Sequence, residues 1–249
     1  MQIGGQNRLK PNSHFTHSHK LHKIAISLAL LLGGANVALA EESGGFIGLG
    51  IGGGGAKYNI KQEFYGRGKI SHLRNFGGIN YGFVAGYKQF FNDYFGLRYY
   101  ANLDIYHNLK KTNDEYLGKV DITLINYGAN VDFLGNFISS EMVDFGGFIG
   151  LGIGGNTLTG KYIKDMKDEI RGRRESGEKF NDTGFDMWLN VGLRTNIAKY
   201  HGTEVAVRVP FIPVKFIEHK QVGGNDYDSI TAYTFGQTYS ILARYTFSF

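Results

Sequence analysis

Histidine is the first residue type here whose spacing could do chemistry. His14, His17, His19 and His22 crowd the stretch 14–22, and imidazoles at such density can hold a transition metal. They stand just ahead of the apolar run Ile24–Leu32, which is followed by Gly33, Gly34 and a small-residue stretch ending Ala38-Leu39-Ala40. A basic start at Lys20 and Lys23, a short apolar run and an A-x-A ending form the pattern of a secretory signal peptide. Residues 1–40 are therefore expected to be removed after Ala40, with Ala38 and Ala40 as the recognised small residues. The histidines go with them. Read as a transmembrane helix, the run is too short and is interrupted by glycines.

The remainder offers little else of that kind. Its histidines, His72, His107, His201 and His219, fall one to each connection or strand end. No G-x-S-x-G or H-E-x-x-H occurs, and the absence of cysteine removes thiolate sites and disulfides. A hydrolase could draw on Ser240 or Ser248 with a histidine from a connection, but nothing in the sequence brackets such a set. The repeat Phe46–Gly53, matched at Phe148–Gly155, contains a G-x-G pattern. No βαβ unit follows it, so it is not read as a nucleotide loop. No catalytic residue, cofactor or metal is expected.

The elements that must position any site come from composition and alternation. The chain of 249 residues holds 37 Gly, 19 Phe and 16 Tyr against 3 Pro. Its formal charge of +5 is concentrated in residues 1–40, which hold Arg8, Lys10, Lys20 and Lys23 and no acid. A near-neutral mature chain excludes nucleic acid as a partner.

Segment 97–106 places Leu97, Tyr99, Ala101, Leu103 and Ile105 on one face and Arg98, Tyr100, Asn102, Asp104 and Tyr106 on the other. Segments 125–133 and 185–197 repeat this period of two, and 45–53, 79–90, 145–157 and 203–217 are compatible with it. In 203–217 the phase slips across Pro213, predicting a bulge or strand end there. Tyr239, Ile241, Ala243, Tyr245, Phe247 and Phe249 alternate with polar residues to the terminus. A last strand ending Tyr245, Phe247, Phe249 resembles the signal by which outer-membrane barrels reach their insertion machinery.

The fold expected is all-β, an eight-stranded antiparallel transmembrane β-barrel over 41–249. Connections of 54–78, 91–94, 107–121, 135–143, 158–182, 198–202 and 218–235 alternate long and short. Extracellular loops are accordingly placed near 54–78, 107–121, 158–182 and 218–235. The lumen then receives Arg98, Asp104, Asn130, Asp132, Asp186, Arg194, Glu204, Arg208 and Arg244. Eight strands leave an interior just wide enough for side chains, so a structural ion-pair network is expected, with a narrow pore as the alternative and barrel catalysis behind both. Inward glycines of the two repeats are expected to make room for Tyr100, Trp188 and Arg194. The segment 161–179, with seven Lys/Arg and five Asp/Glu, is read as a solvated face that could meet lipopolysaccharide phosphates or a host surface.

Gly86-Tyr87-Lys88-Gln89-Phe90-Phe91, Phe95–Tyr100, Tyr127–Asp132, Gly192–Asn196, His201–Glu204 and Tyr245–Phe249 together resemble the Helicobacter outer-membrane protein family. That resemblance implies an outer-membrane location and a barrel whose first strand is near the mature N-terminus and whose other seven are C-terminal. It also implies outer-membrane lipid, lipopolysaccharide and the barrel assembly machinery as partners. Adhesin members insert a large domain after the first strand. Here that gap is only 54–78, so receptor binding does not carry over.

Overall fold

The computed structural model describes residues 43–64, 68–109, 113–114, 118–119, 121–140, 142–172, 179–221 and 229–249. Ala38, Ala40 and the N-terminal histidines lie outside them. Eight strands form a closed ring: β1 (Gly44–Phe64), β2 (Gly68–Phe90), β3 (Phe95–Asn108), β4 (Thr123–Ser139), β5 (Val143–Thr159), β6 (Thr183–Ile197), β7 (His201–Pro210) and β8 (Ser229–Ser248). Each pairs antiparallel with the next, and β8 pairs back onto β1 from Phe46↔Ser248 to Phe64↔Ser229. Closure leaves no sheet edge in the wall, which a strand-built membrane span requires.

The two-residue period sorts the side chains. Even-numbered residues of β3 and β4 are buried from Arg98 to Tyr106 and from Leu124 to Leu134, apart from a half-buried Gly128, while their odd neighbours are exposed or half-exposed. The outward set is a continuous apolar belt, with Leu49 67% and Ile51 65% exposed on β1, joined by Phe83, Leu103, Val131, Ile149, Leu193, Val205 and Ile241. A belt of that extent on a water-facing surface would drive aggregation, and in lipid it is the favoured face. Aromatics thicken it toward the short turns, where Phe91, Tyr94, Phe95, Phe137 and Tyr200 are exposed.

The short turns, 91–94, 140–142 and 198–200, all lie at one end. Ala198 and Lys199 take left-handed φ of 50° and 67° to make the last of these. Beyond the belt at the other end, residues 54–64 and 68–78 are strand and not a loose loop. β1 and β2 remain paired out to Phe64↔Gly68, and β8 follows β1 to Ser229. Their alternation is polar rather than apolar, which hides a strand that has left the lipid.

Two prolines interrupt the wall where the phase slip predicts it. β7 stops at Pro210, and a strand at Val214–Gln221 restarts against the outer part of β8, from Val214↔Phe235 to Gln221↔Ser229. Lys179–Phe180 pairs with that strand in turn. A helix, α1 (Lys161–Gly172), precedes it.

Candidate functional site: a bridged lumen and a capped mouth

β3 and β7 stand four strands apart in a ring of eight, on opposite sides of the lumen. Arg98 on β3 donates from Nε and Nη2 to Asp132 Oδ2 on neighbouring β4, at 3.1 and 2.6 Å, and from Nη1 across the lumen to Glu204 on β7. Glu204 also accepts from Arg244 Nη1 on β8 at 3.0 Å. Further along the same strands the polarity reverses. Arg208 on β7 donates across to Asp104 on β3, to Asn126 Oδ1 at 2.9 Å and to Asn190 Oδ1 at 3.2 Å. None of these six charged residues exceeds 6% exposure. Ions so deeply buried are tolerable only when paired and hydrogen-bonded, and here each meets an opposite charge.

Asparagines connect the two bridges. Asn130 Oδ1 accepts from Trp188 Nε1 at 2.6 Å and from Asn190 at 2.9 Å, and its own amide donates to Asn102 at 2.8 Å. Asn102 donates to Asp104 and Asn126, Asn126 to Asn156, and Asn156 to Asp186. Of this ladder the expected lumen set holds Asp104, Asn130 and Asp186, and the alternation of 97–106 puts Asn102 on the same face, while Asn126, Asn156 and Asn190 are not in that set. The available signal was an Asn at inward positions of successive strands. Aromatic rings stack against the cations. The Arg98 guanidinium lies 4.6 Å from the Phe148 ring and 5.0 Å from Tyr100, and Arg208 lies 5.1 Å from Trp188. Arg194 donates to Asn136 Oδ1 at 2.6 Å and lies over Phe90 near the short-turn end.

Asp186 has a second task beside its place in the ladder. Its Oδ1 accepts the backbone N–H of Met187, Phe211 and Ile212 at 2.7, 3.3 and 2.9 Å. Those last two donors sit in the proline-flanked break, where the Phe211 N–H also reaches the Met187 carbonyl at 2.9 Å and Ile212 is the amide that depends on the carboxylate. The carboxylate is a cap for the gap in the wall. Glycines make the close approaches. A Cβ at Gly152, in the second repeat, would collide with the Trp188 indole and the Asn130 amide, and one at Gly128 would lie 2.6 Å from the same indole. Tyr100 instead uses Gly86 on β2.

The mouth at the end away from the short turns is apolar. Tyr58, Phe76, Tyr106, Leu124, Leu158, Phe216 and Phe235 form a buried cluster, and α1 adds Ile163 to it with Tyr162, Met166 and Ile170 packed alongside. Residues 161–172 are therefore not simply a solvated face, while 173–178 lie outside the described residues. Apolar residues at 162, 163, 166 and 170 share one helical stripe, which the surrounding charges obscured. The Tyr162 hydroxyl meets that of Tyr58 at 3.0 Å. Lys167 Nζ donates to Asp182 Oδ2 at 2.6 Å, and this bond holds the carboxyl below its ordinary range. Burial raises the Tyr162 phenol above its own.

Among the described residues neither Ser240 nor Ser248 meets a histidine. Ser240 and Ser248 point their Oγ atoms into the wall interior without a hydrogen-bond partner among the described residues. His201 Nδ1 meets the Tyr245 hydroxyl at 2.7 Å on the outer face, and His107 Nδ1 meets Thr123 Oγ1 at 2.7 Å. Tyr245, Phe247 and Phe249 all face outward.

A closed antiparallel ring with an apolar exterior and a polar, cross-braced interior is a small outer-membrane β-barrel. Residues 82–249 match the Helicobacter outer membrane protein family, and the chain belongs to that family. Comparison with curated proteins finds no match. Among solved structures it is similar to OprG of Pseudomonas aeruginosa, at 16% identity over 85% of this chain and 99% of that one, TM-score 0.46. It is also similar to Neisserial surface protein A, at 13% identity over 84% and 100%, TM-score 0.40. Ail of Yersinia pestis gives 13% identity over 81% and 99%, TM-score 0.30.

Proposed function

We propose that this barrel is a sealed membrane anchor with a structural and surface-interaction role, its work carried by the paired elements beyond the belt. The observation that supports it most is the pair of opposed ion bridges from β3 to β7, Arg98–Glu204 and Asp104–Arg208. They cross the lumen at its diameter, where a conducting path would have to run. The apolar cluster beneath α1 closes the mouth a second time.

Purified protein in planar bilayers is expected to give a silent trace. Reproducible open-channel steps would make it a narrow pore and end this reading. In the same proposal, Ala38 and Ala40 mark the cleavage site, and the mature N-terminus should begin at Glu41. Tyr245, Phe247 and Phe249 address the assembly machinery. Outer-membrane lipid and lipopolysaccharide surround the belt, and ligands from a host surface meet the outer elements. No reaction is assigned. Orientation has its own check, since an impermeant amine reagent should label Lys161 and Lys164 on intact cells. Their protection would turn the barrel over.

A further inference from the structure

Beyond the belt, β2 loses its second neighbour. β3 begins to pair with it only at Gly78↔Asn108, whereas β1 continues alongside to Gly68. Among the described residues no strand pairs with 68–76 on the side away from β1, and the Gly77 carbonyl accepts the Leu109 N–H at 3.2 Å. Residues 68–75 are exposed without interruption, including Ile70 at 47% and Leu73 at 51%. A run of backbone donors and acceptors this long is a template for a further strand, and proteins normally shorten, cover or break such edges. Here there is no proline and no bulge between β1 and β2.

Charge selects the occupant. Segment 54–78 carries Lys57, Lys61, Arg67, Lys69 and Arg74 against Glu63 alone, a net +4, in a mature chain whose total is +1. The register puts Lys57 opposite Asn75, Lys61 opposite Ser71 and Glu63 opposite Lys69, so the three lysines share one face of the ribbon with Glu63. Glu63 pairs with Lys69 at 2.8 Å and leaves that face net positive through Lys57 and Lys61. Two copies of such a ribbon repel each other, which disfavours edge-to-edge self-pairing. An acidic strand is attracted.

We propose that the 68–76 edge of β2 is a docking site for an extended acidic polypeptide segment, added as an extra strand. Alternate carboxylates of that segment lie over the lysine face, and the residues between them pack beside Ile70. The proposal deepens the surface-interaction reading and rests on this end being the outward one. The two fail separately, because channel conductance would sink the sealed-anchor reading whatever happens at the edge.

The test uses the folded full barrel in detergent micelles with an alternating Glu-Val peptide as probe, read by fluorescence anisotropy and by hydrogen exchange. Binding is expected, with slowed exchange of the 68–76 amides. The same peptide N-methylated at alternate residues should bind at least tenfold more weakly, since it keeps its charge and loses the ladder. The triple variant K57Q/K61Q/K69Q, all exposed positions, should also weaken binding several-fold. Equal binding of the N-methylated peptide would reduce the site to an electrostatic patch and overturn the proposal. So would no binding at all, or concentration-dependent self-association that the peptide does not compete with.

Discussion

Arg98 and Glu204 are 106 positions apart and close an ion pair across the full width of the lumen. Asp104 and Arg208 repeat the relationship with the charges exchanged between the same two strands. Opposite polarity at two heights fixes the strands' relative height, because sliding either strand would bring like charges together.

Arg98→Ala leaves Asp132 and Glu204 buried with one guanidinium fewer. Breaking a buried pair from one side costs about 3–5 kcal/mol, and urea unfolding in detergent should show a loss of that order. Arg98→Lys should recover only part of it, since one ammonium cannot serve Nε, Nη1 and Nη2 partners together. No loss for Arg98→Ala would mean that the network braces nothing.

Gly152→Ala is expected to destabilise by about 1–3 kcal/mol through overpacking against Trp188 and Asn130. Gly135→Ala, where nothing lies within 4 Å of the added carbon, should stay within about 0.5 kcal/mol. Equal midpoints for the two variants would show that the indole is free to move.

Asp186 separates charge from capping. Asp186→Asn keeps an oxygen for the Phe211 and Ile212 amides and should be mild. Asp186→Ala strands the Ile212 donor in the wall, at about 1–3 kcal/mol, while Phe211 keeps the Met187 carbonyl. Hydrogen exchange should then quicken at 212 and much less at 211. Similar stability losses for both variants would instead point to the charge.

Ile163→Asp places a carboxylate in the apolar mouth. α1 should become open to limited proteolysis while the barrel stays folded. The bilayer trace should stay silent, because the β3–β7 bridges are untouched. Conductance from this variant alone would move the seal from the lumen to the helix.

The Lys167–Asp182 bond makes the seat of α1 acid-sensitive. The folded carboxyl titrates below its ordinary value of 3.8. Its contribution is thus present above the ordinary carboxylate range and disappears as pH falls through the lowered value. Pepsin cleavage within 161–172 should be unchanged from about pH 6 to about pH 4 and increase below that, and Lys167→Gln should remove the step. Opening near neutral pH would require another group.

The barrel itself was legible because lipid imposes a strict alternation. Leu97–Tyr106 and Tyr239–Phe249 can satisfy their backbones and bury their apolar halves in only one way, and the same parity sent Arg98, Asp132, Glu204 and Arg208 inward. Pro213 announced a break in the wall. What the sequence could not determine are relationships with no period. That Arg98 meets Glu204 rather than another inward acid depends on which strands face each other across a closed ring. That Asp186 caps 211 and 212 depends on where a broken strand passes its neighbour. The helix at 161–172 and the paired ribbon of 54–64 with 68–78 lie outside the lipid, where a polar surface is permitted. There the alternation stops being enforced, and only packing against Tyr58, Phe216 and their neighbours decides the structure.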